Sequence, residues 1–152
     1  MPIAIACPDI KVTMIESTGK KAAFLQRVAD DLELTNVTVL SDRAETLGRS
    51  KNYRERFDVA TARAVGAARV ILELMMPLVR TGGQVLAMKG KSVESELEDA
   101  SDAMMILGGG GVELYEALPG LDDDAVIVVI RKDGPTPADY PRAPGMPKQS
   151  PL

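Results

Sequence analysis

Short apolar runs alternate along the chain with longer stretches in which apolar residues recur every three or four positions, the pattern of strands followed by helices. Val12-Thr13-Met14-Ile15 is the first run and ends at Glu16; Gly19 then opens a segment with Phe24, Leu25, Val28, Ala29 and Leu32 at helical spacing. The second run, Val37 to Leu40, precedes Ser41-Asp42-Arg43-Ala44-Glu45, where Ser41 or Asp42 can cap a short helical turn. Phe57 to Thr61 leads to Arg63-Ala64, and Val70, Ile71, Leu74 and Met75 form a helical stripe that stops before Pro77. Gly82-Gly83 breaks the chain before the strand Gln84 to Met88. Residues 91 to 107 then read as one helix, with Val93, Leu97, Ala100, Met104 and Leu107 opposite an acidic face. Residues 112 to 118 are strand-compatible, and Val126 to Ile130 is an unbroken β-branched run of the kind buried on both faces.

Strands that alternate with helices imply a mainly parallel sheet with right-handed crossovers, and two consecutive final strands imply one antiparallel member. The expected fold is a doubly wound α/β sheet. Six of the ten prolines fall between Pro135 and Pro151, which excludes a regular helix there and predicts an extended tail, 135–152, packed on a domain of residues 1–134.

At 152 residues and 45% hydrophobic, the chain can bury one core, which must be aliphatic because aromatics are only 3%. The single cysteine, Cys7, cannot form an intrachain disulfide, and no basic start precedes a long apolar run, so the chain reads as cytoplasmic and soluble. A net charge of −4 excludes a strongly basic nucleic-acid binder. Histidine is absent, which removes the commonest general base and a usual metal ligand. The methionines form no thioether cluster, and no metal site is expected.

In open α/β sheets ligands bind beyond the carboxyl ends of the strands. Glu16 stands there after the first run, as a carboxylate for the vicinal hydroxyls of a ribose or as a solvated strand-end glutamate. Ala44-Glu45 follows the second strand, able to read an adenine edge or simply to favour a helix dipole. Arg63 follows the third, with a fork suited to a carboxylate or to a surface salt bridge. Lys89-Gly90-Lys91 follows the fourth, where lysines can meet phosphate or stay solvated. Gly108 to Gly111 follows a helix and precedes a strand, the reverse of a dinucleotide loop, and reads as a flexible turn.

The order of strings Val12-Thr13-Met14-Ile15-Glu16-Ser17, Lys20-Lys21-Ala22-Ala23-Phe24-Leu25, Asn36-Val37, Arg43-Ala44-Glu45, Phe57-Asp58-Val59, Arg63-Ala64-Val65, Pro77-Leu78, Gly82-Gly83, Lys89-Gly90, Tyr140-Pro141-Arg142 and Pro144-Gly145-Met146-Pro147-Lys148 resembles the small-subunit ribosomal RNA methyltransferase G family, formerly called glucose-inhibited division protein B. The resemblance implies a class I methyltransferase fold, S-adenosylmethionine as donor, and methylation at guanine N7 of 16S ribosomal RNA, free or within the small ribosomal subunit. It places Ala44 and Glu45 at the cofactor adenine, Arg63 in the cofactor site and Glu16 on the ribose side. It makes Lys20, Lys21, Lys89, Arg142 and Lys148 candidates for contacts with RNA or the cofactor edge. Guanine N7 carries an available lone pair, so no general base is needed, in keeping with a chain that has no histidine.

Family members carry, upstream, a helical region, a first strand and a Gly-Phe-Pro-Gly turn; this chain starts at Met1-Pro2-Ile3-Ala4-Ile5, which resembles the helix after that turn. Either an internal methionine has been taken as the start or the gene is truncated. The absent strand lies centrally in the family fold, so two unpaired edges are expected, with direct pairing, filling by another chain or self-association as the ways out. Asp122-Asp123-Asp124-Ala125 stands where the family places an Arg-His-like pair. A noncatalytic interaction module of the same fold is the alternative function. A nicotinamide-dependent oxidoreductase is disfavoured by the lack of a strand, Gly-rich loop and helix in order.

Overall fold

The computed structural model describes residues 1–90, 93–116 and 125–152, and these divide into two compact units, Met1–Ala44 and Glu45–Leu152. Lys91, the end of the strand expected at 112 to 118, and Asp122 to Asp124 lie outside the described residues.

The first unit contains helix α1 (Pro2–Ala6), strand β1 (Val12–Ile15), helix α2 (Gly19–Asp31) and strand β2 (Val37–Leu40). The two strands pair in parallel from Val12 opposite Val37 to Ile15 opposite Leu40. Pro2 opens α1, where its missing N–H costs nothing. The Asn36 side-chain amide donates to the carbonyls of Ala4 and Ile10, both at 3.0 Å, tying α1 and its following loop to the start of β2. Helix α2 buries Ala22 and Ala29, seven residues apart on one face. Phe24, expected in the buried stripe, is 65% exposed instead.

The second unit begins within helix α3 (Ala44–Arg49) and continues through β3 (Phe57–Arg63), α4 (Ala68–Met75), β4 (Val79–Gly90), α5 (Val93–Asp99), α6 (Ser101–Ile106), β5 (Gly109–Glu116), β6 (Ala125–Lys132) and α7 (Met146–Gln149). Its sheet has the order β3-β4-β6-β5, with β3 parallel to β4 and the last two strands antiparallel. The mixed α/β sheet with an antiparallel final pair is the one expected from the apolar runs. Helix α4 buries Ile71, Leu72 and Met75 against Val85, Ala87, Val128 and Ile130 of the central strands. Each such aliphatic side chain contributes roughly 1.5–3 kcal/mol by leaving water.

Three local readings are corrected. The single helix expected over 91–107 is two, α5 and α6, because the chain turns at fully buried Ala100, whose N–H is shared between the carbonyls of Glu96 and Leu97 at 3.1 Å. The turn keeps Val93 on one segment and Ala103 on the next inside the same core. Gly82-Gly83 does not precede a strand but bulges within β4: Phe57 faces Val79 while Val59 faces Gln84. A side chain on Gly83 would come within 2.5 Å of the Asp58 carbonyl, so only glycine allows this approach. The proline-rich tail carries one helical turn, α7, with Pro147 in its first turn, where proline is tolerated.

Among the described residues β1 pairs only with β2 and β3 only with β4, so each presents an unpaired edge, as the resemblance leads one to expect. No helix among them is long and apolar enough to cross a membrane.

Candidate functional site

In the first unit, Glu16 extends β1, its N–H donating to the Leu40 carbonyl at 3.0 Å. Its Oε1 accepts the N–H of Thr18, which caps α2, at 2.7 Å. That N–H holds the Glu16 carboxyl below its ordinary pKa against a small opposing effect of burial, and Lys21 adds to the lowering. The carboxylate therefore stays charged at the carboxyl end of the strand, as a hydroxyl acceptor requires. Lys20 and Lys21 are exposed in the first turn of α2. Ala44, half-buried, starts α3.

In the second unit, Arg63 and Lys89 stand at the carboxyl ends of neighbouring parallel strands, Arg63 lying opposite Met88 in the register. Arg63 is exposed, and its side chain has no hydrogen bond or ion pair among the described residues. The next residue, Ala64, takes φ +55, a left-handed conformation that costs a non-glycine residue about 1–2 kcal/mol. Lys89, by contrast, is engaged: its Nζ donates to the Gly66 carbonyl at 2.7 Å and to Glu96 Oε2 at 2.6 Å, and its side chain is only 11% exposed. The same Glu96 oxygen accepts the Ala68 N–H at 3.1 Å, at the start of α4, where the N-cap Ala67 offers no side chain for the purpose.

The tail engages two further expected residues. Glu45 is 6% exposed and its Oε1 accepts the N–H of Gly145, which adopts φ +89 before α7. Arg142 grips Glu73 of α4 through Nε at 2.9 Å and Nη2 at 2.6 Å, with its own N–H on the same carboxylate and a further bond to the Ser150 carbonyl. Glu73 is fully buried, so this fork is the compensation that lets a charge sit inside α4. Lys148 is exposed in α7.

Several polar residues that organise the unit escape a reading of the sequence. Lys132 ends β6 fully buried and donates to Glu55 Oε1 and to the carbonyls of Met76 and Val79, each at 2.7 Å. Burial pushes its ammonium pKa down, although Glu55 pulls the other way. Burial alone would raise the Glu55 carboxyl, yet the Lys132 ammonium and the Thr136 N–H outweigh it and hold it below its ordinary pKa. Arg54 donates to the carbonyls of Gly48, Tyr140, Thr136 and Pro137, binding the tail to the turn after α3. For Lys132 the only signal is a charge just after an apolar run, which does not name the partner, and Arg54 and Glu55 lie in the charged stretch Arg54-Glu55-Arg56 with no signal of their own. Glu96 carried no signal beyond membership of an acidic helix face.

Comparison with known proteins adds to this geometry. A family model described as rRNA small subunit methyltransferase G matches residues 1–118. Proteins named ribosomal RNA small subunit methyltransferase G from Chloroflexus aggregans, Roseiflexus castenholzii and Lactobacillus johnsonii are 46%, 45% and 40% identical over the whole of this chain. The chain spans 64%, 65% and 64% of their respective lengths. Among solved structures, a predicted O-methyltransferase of Agrobacterium tumefaciens aligns with a TM-score of 0.66 at 20% identity, covering 87% of this chain and 67% of that one. An rRNA methylase of Streptococcus thermophilus aligns with a TM-score of 0.57 at 16% identity, covering 82% and 74%. At such identities these structures speak for a shared methyltransferase fold alone.

Proposed function

This chain belongs to the rRNA small subunit methyltransferase G family, and from that premise we propose that it serves S-adenosylmethionine-dependent methylation of guanine N7 in 16S ribosomal RNA, in the cytoplasm. The observation that carries the reading is identity of 40–46% over the entire chain with relatives of that name. Because the chain spans about 64% of their length, the reading concerns what its own residues do within the reaction.

Taken unit by unit, the candidate residues offer groups that suit the cofactor chemically. S-adenosylmethionine, when bound, supplies a methyl group on a sulfonium. Glu16, held ionised by the Thr18 N–H, is an acceptor for the ribose hydroxyls, and Arg63 offers an uncommitted fork for the methionine carboxylate. Ala44 and Glu45 take the adenine side. Glu45 serves there as a fixed wall, since one of its oxygens already holds Gly145. Guanine N7 needs no deprotonation, so the protein's share is alignment and electrostatics. Exposed Lys20, Lys21 and Lys148 are assigned to RNA phosphates. Lys89 and Arg142, occupied by Glu96 and Glu73, support the frame of the site instead of touching RNA.

The unpaired edges of β1 and β3 favour self-association of the chain. Sedimentation at several concentrations checks this, and a monomer at all of them contradicts it.

Titration of the folded chain with S-adenosylmethionine by calorimetry tests the function. Micromolar binding, about −8 kcal/mol, is expected. Arg63→Ala is expected to lose about 1.5–3 kcal/mol of it, the worth of a hydrogen bond to a charged group. A folded chain that binds no cofactor overturns the reading and favours a noncatalytic module of the same fold.

A further inference from the structure

We infer that Glu96, with Lys89, is a positioning residue that fixes the loop after Arg63 and so sets the aim of that arginine; the inference rests on the reading of Arg63 as a cofactor contact. Arg63 is the last residue of β3, and four residues, Ala64 to Ala67, join it to α4. Nothing in the loop's own sequence holds it. Ala64 sits at φ +55 against its preference, Val65 is 45% exposed, and Ala67 has no side-chain group with which to cap the helix.

Two other elements supply the missing contacts. Lys89, from the carboxyl end of β4, donates to the Gly66 carbonyl, and Glu96, from α5, accepts both that ammonium and the Ala68 N–H with one oxygen. A single carboxylate thus caps α4 from outside and neutralises the lysine that ties down the loop. The ion pair is sheltered on the lysine side, at 11% exposure, and the glutamate is 36% exposed. Such a pair is screened less than a surface pair, and its directed hydrogen bonds stabilise one loop conformation over others. The strain at Ala64 persists because the surroundings hold it at both ends of the loop, the arrangement in which strained backbone stands beside functional side chains.

Neither residue has to touch a ligand. Removal of the carboxylate releases Ala68 and leaves Lys89 with the Gly66 carbonyl alone, so the loop gains freedom while β3, β4 and the core beneath are unchanged. Arg63 then meets its partner from a wider set of orientations, and ordering them costs affinity.

The experiment compares the full chain with Glu96→Ala and Glu96→Gln by hydrogen exchange and by S-adenosylmethionine calorimetry. In the ligand-free chain, exchange at Gly66 to Ala68 is expected to accelerate in Glu96→Ala while protection of β4 and β6 is retained. Affinity is expected to fall about tenfold, or about 1.4 kcal/mol. Glu96→Gln keeps an oxygen for the Ala68 N–H and is expected to recover most of both losses, which a purely electrostatic role would not allow. Unchanged loop exchange, or unchanged affinity alongside faster loop exchange, overturns the inference. A loss of affinity that tracks loss of protection throughout the sheet also overturns it, because it reports general destabilisation. Failure of the parent chain itself to bind cofactor, with the loop difference intact, tells instead against the reading of Arg63.

Discussion

At the scale of single residues, the second unit depends on charges placed where water cannot reach them. Lys132 is fully buried with all three of its donors used, and Glu55 is its only acidic partner among the described residues. Glu55→Gln leaves the ammonium without a counter-charge and is expected to destabilise the unit by about 3–5 kcal/mol, the usual result of breaking a buried pair from one side. Chemical denaturation checks this. The same pair sets an acid limit. The folded-state pKa of Glu55 lies below its unfolded value, so its contribution is present above the unfolded pKa and is lost as the pH falls through the folded one. Unfolding midpoints measured between pH 6 and 3 should therefore fall in the parent, and fall less in Glu55→Gln. Sequence shows Glu73 between Leu72 and Leu74, and Lys132 after an apolar run, but their partners Arg142 and Glu55 lie 69 and 77 residues away. No local pattern can name them. The positions of Glu16 and Arg63 at strand ends can be read in the sequence, because strand ends follow from the apolar runs.

At the scale of elements, the strands were the readable part, since an isolated apolar run between breakers has few other outcomes. Val12 to Ile15 and Val37 to Leu40 are strands as read. The helix over 91–107 was misread because periodicity records which residues face inward and not whether the axis turns between them; Ala100 turns it without disturbing the stripe. For the same reason Glu96 read as solvent-facing, although the loop after β3 folds back onto it. Apart from α7 the tail carries no regular element, and its proline content is silent on what it binds. Arginines are among its anchors. Arg142→Ala strips buried Glu73 of its fork and is expected to cost about 3–5 kcal/mol. Partial proteolysis should then cut within 135–152 before the sheet of the second unit, and a tail that stays resistant would contradict the assignment.

At the scale of the molecule, the two units differ in what they bury. Among the described residues of the first unit only Ala4, Ala22 and Ala29 are buried, all small, whereas the second buries Ile71, Leu72, Met76, Val85 and Ile130 among others. Stability follows buried apolar area, so amides of β1 and β2 should exchange well before those of β4 and β6. Equal protection in both would show that the first unit draws stability from something other than its own core. The long spans bridged by Arg142–Glu73 and Lys132–Glu55 have a consequence for biosynthesis. A chain emerging from the ribosome exposes Glu73 long before Arg142 exists; at about 5–20 residues per second the separation of 69 residues takes roughly 3–14 s. During that interval α4 cannot settle into its final place without burying an uncompensated carboxylate. The second unit thus cannot complete its fold until Arg142 has emerged, and a ribosome stalled before that point would hold a nascent chain still open to chaperones and proteases.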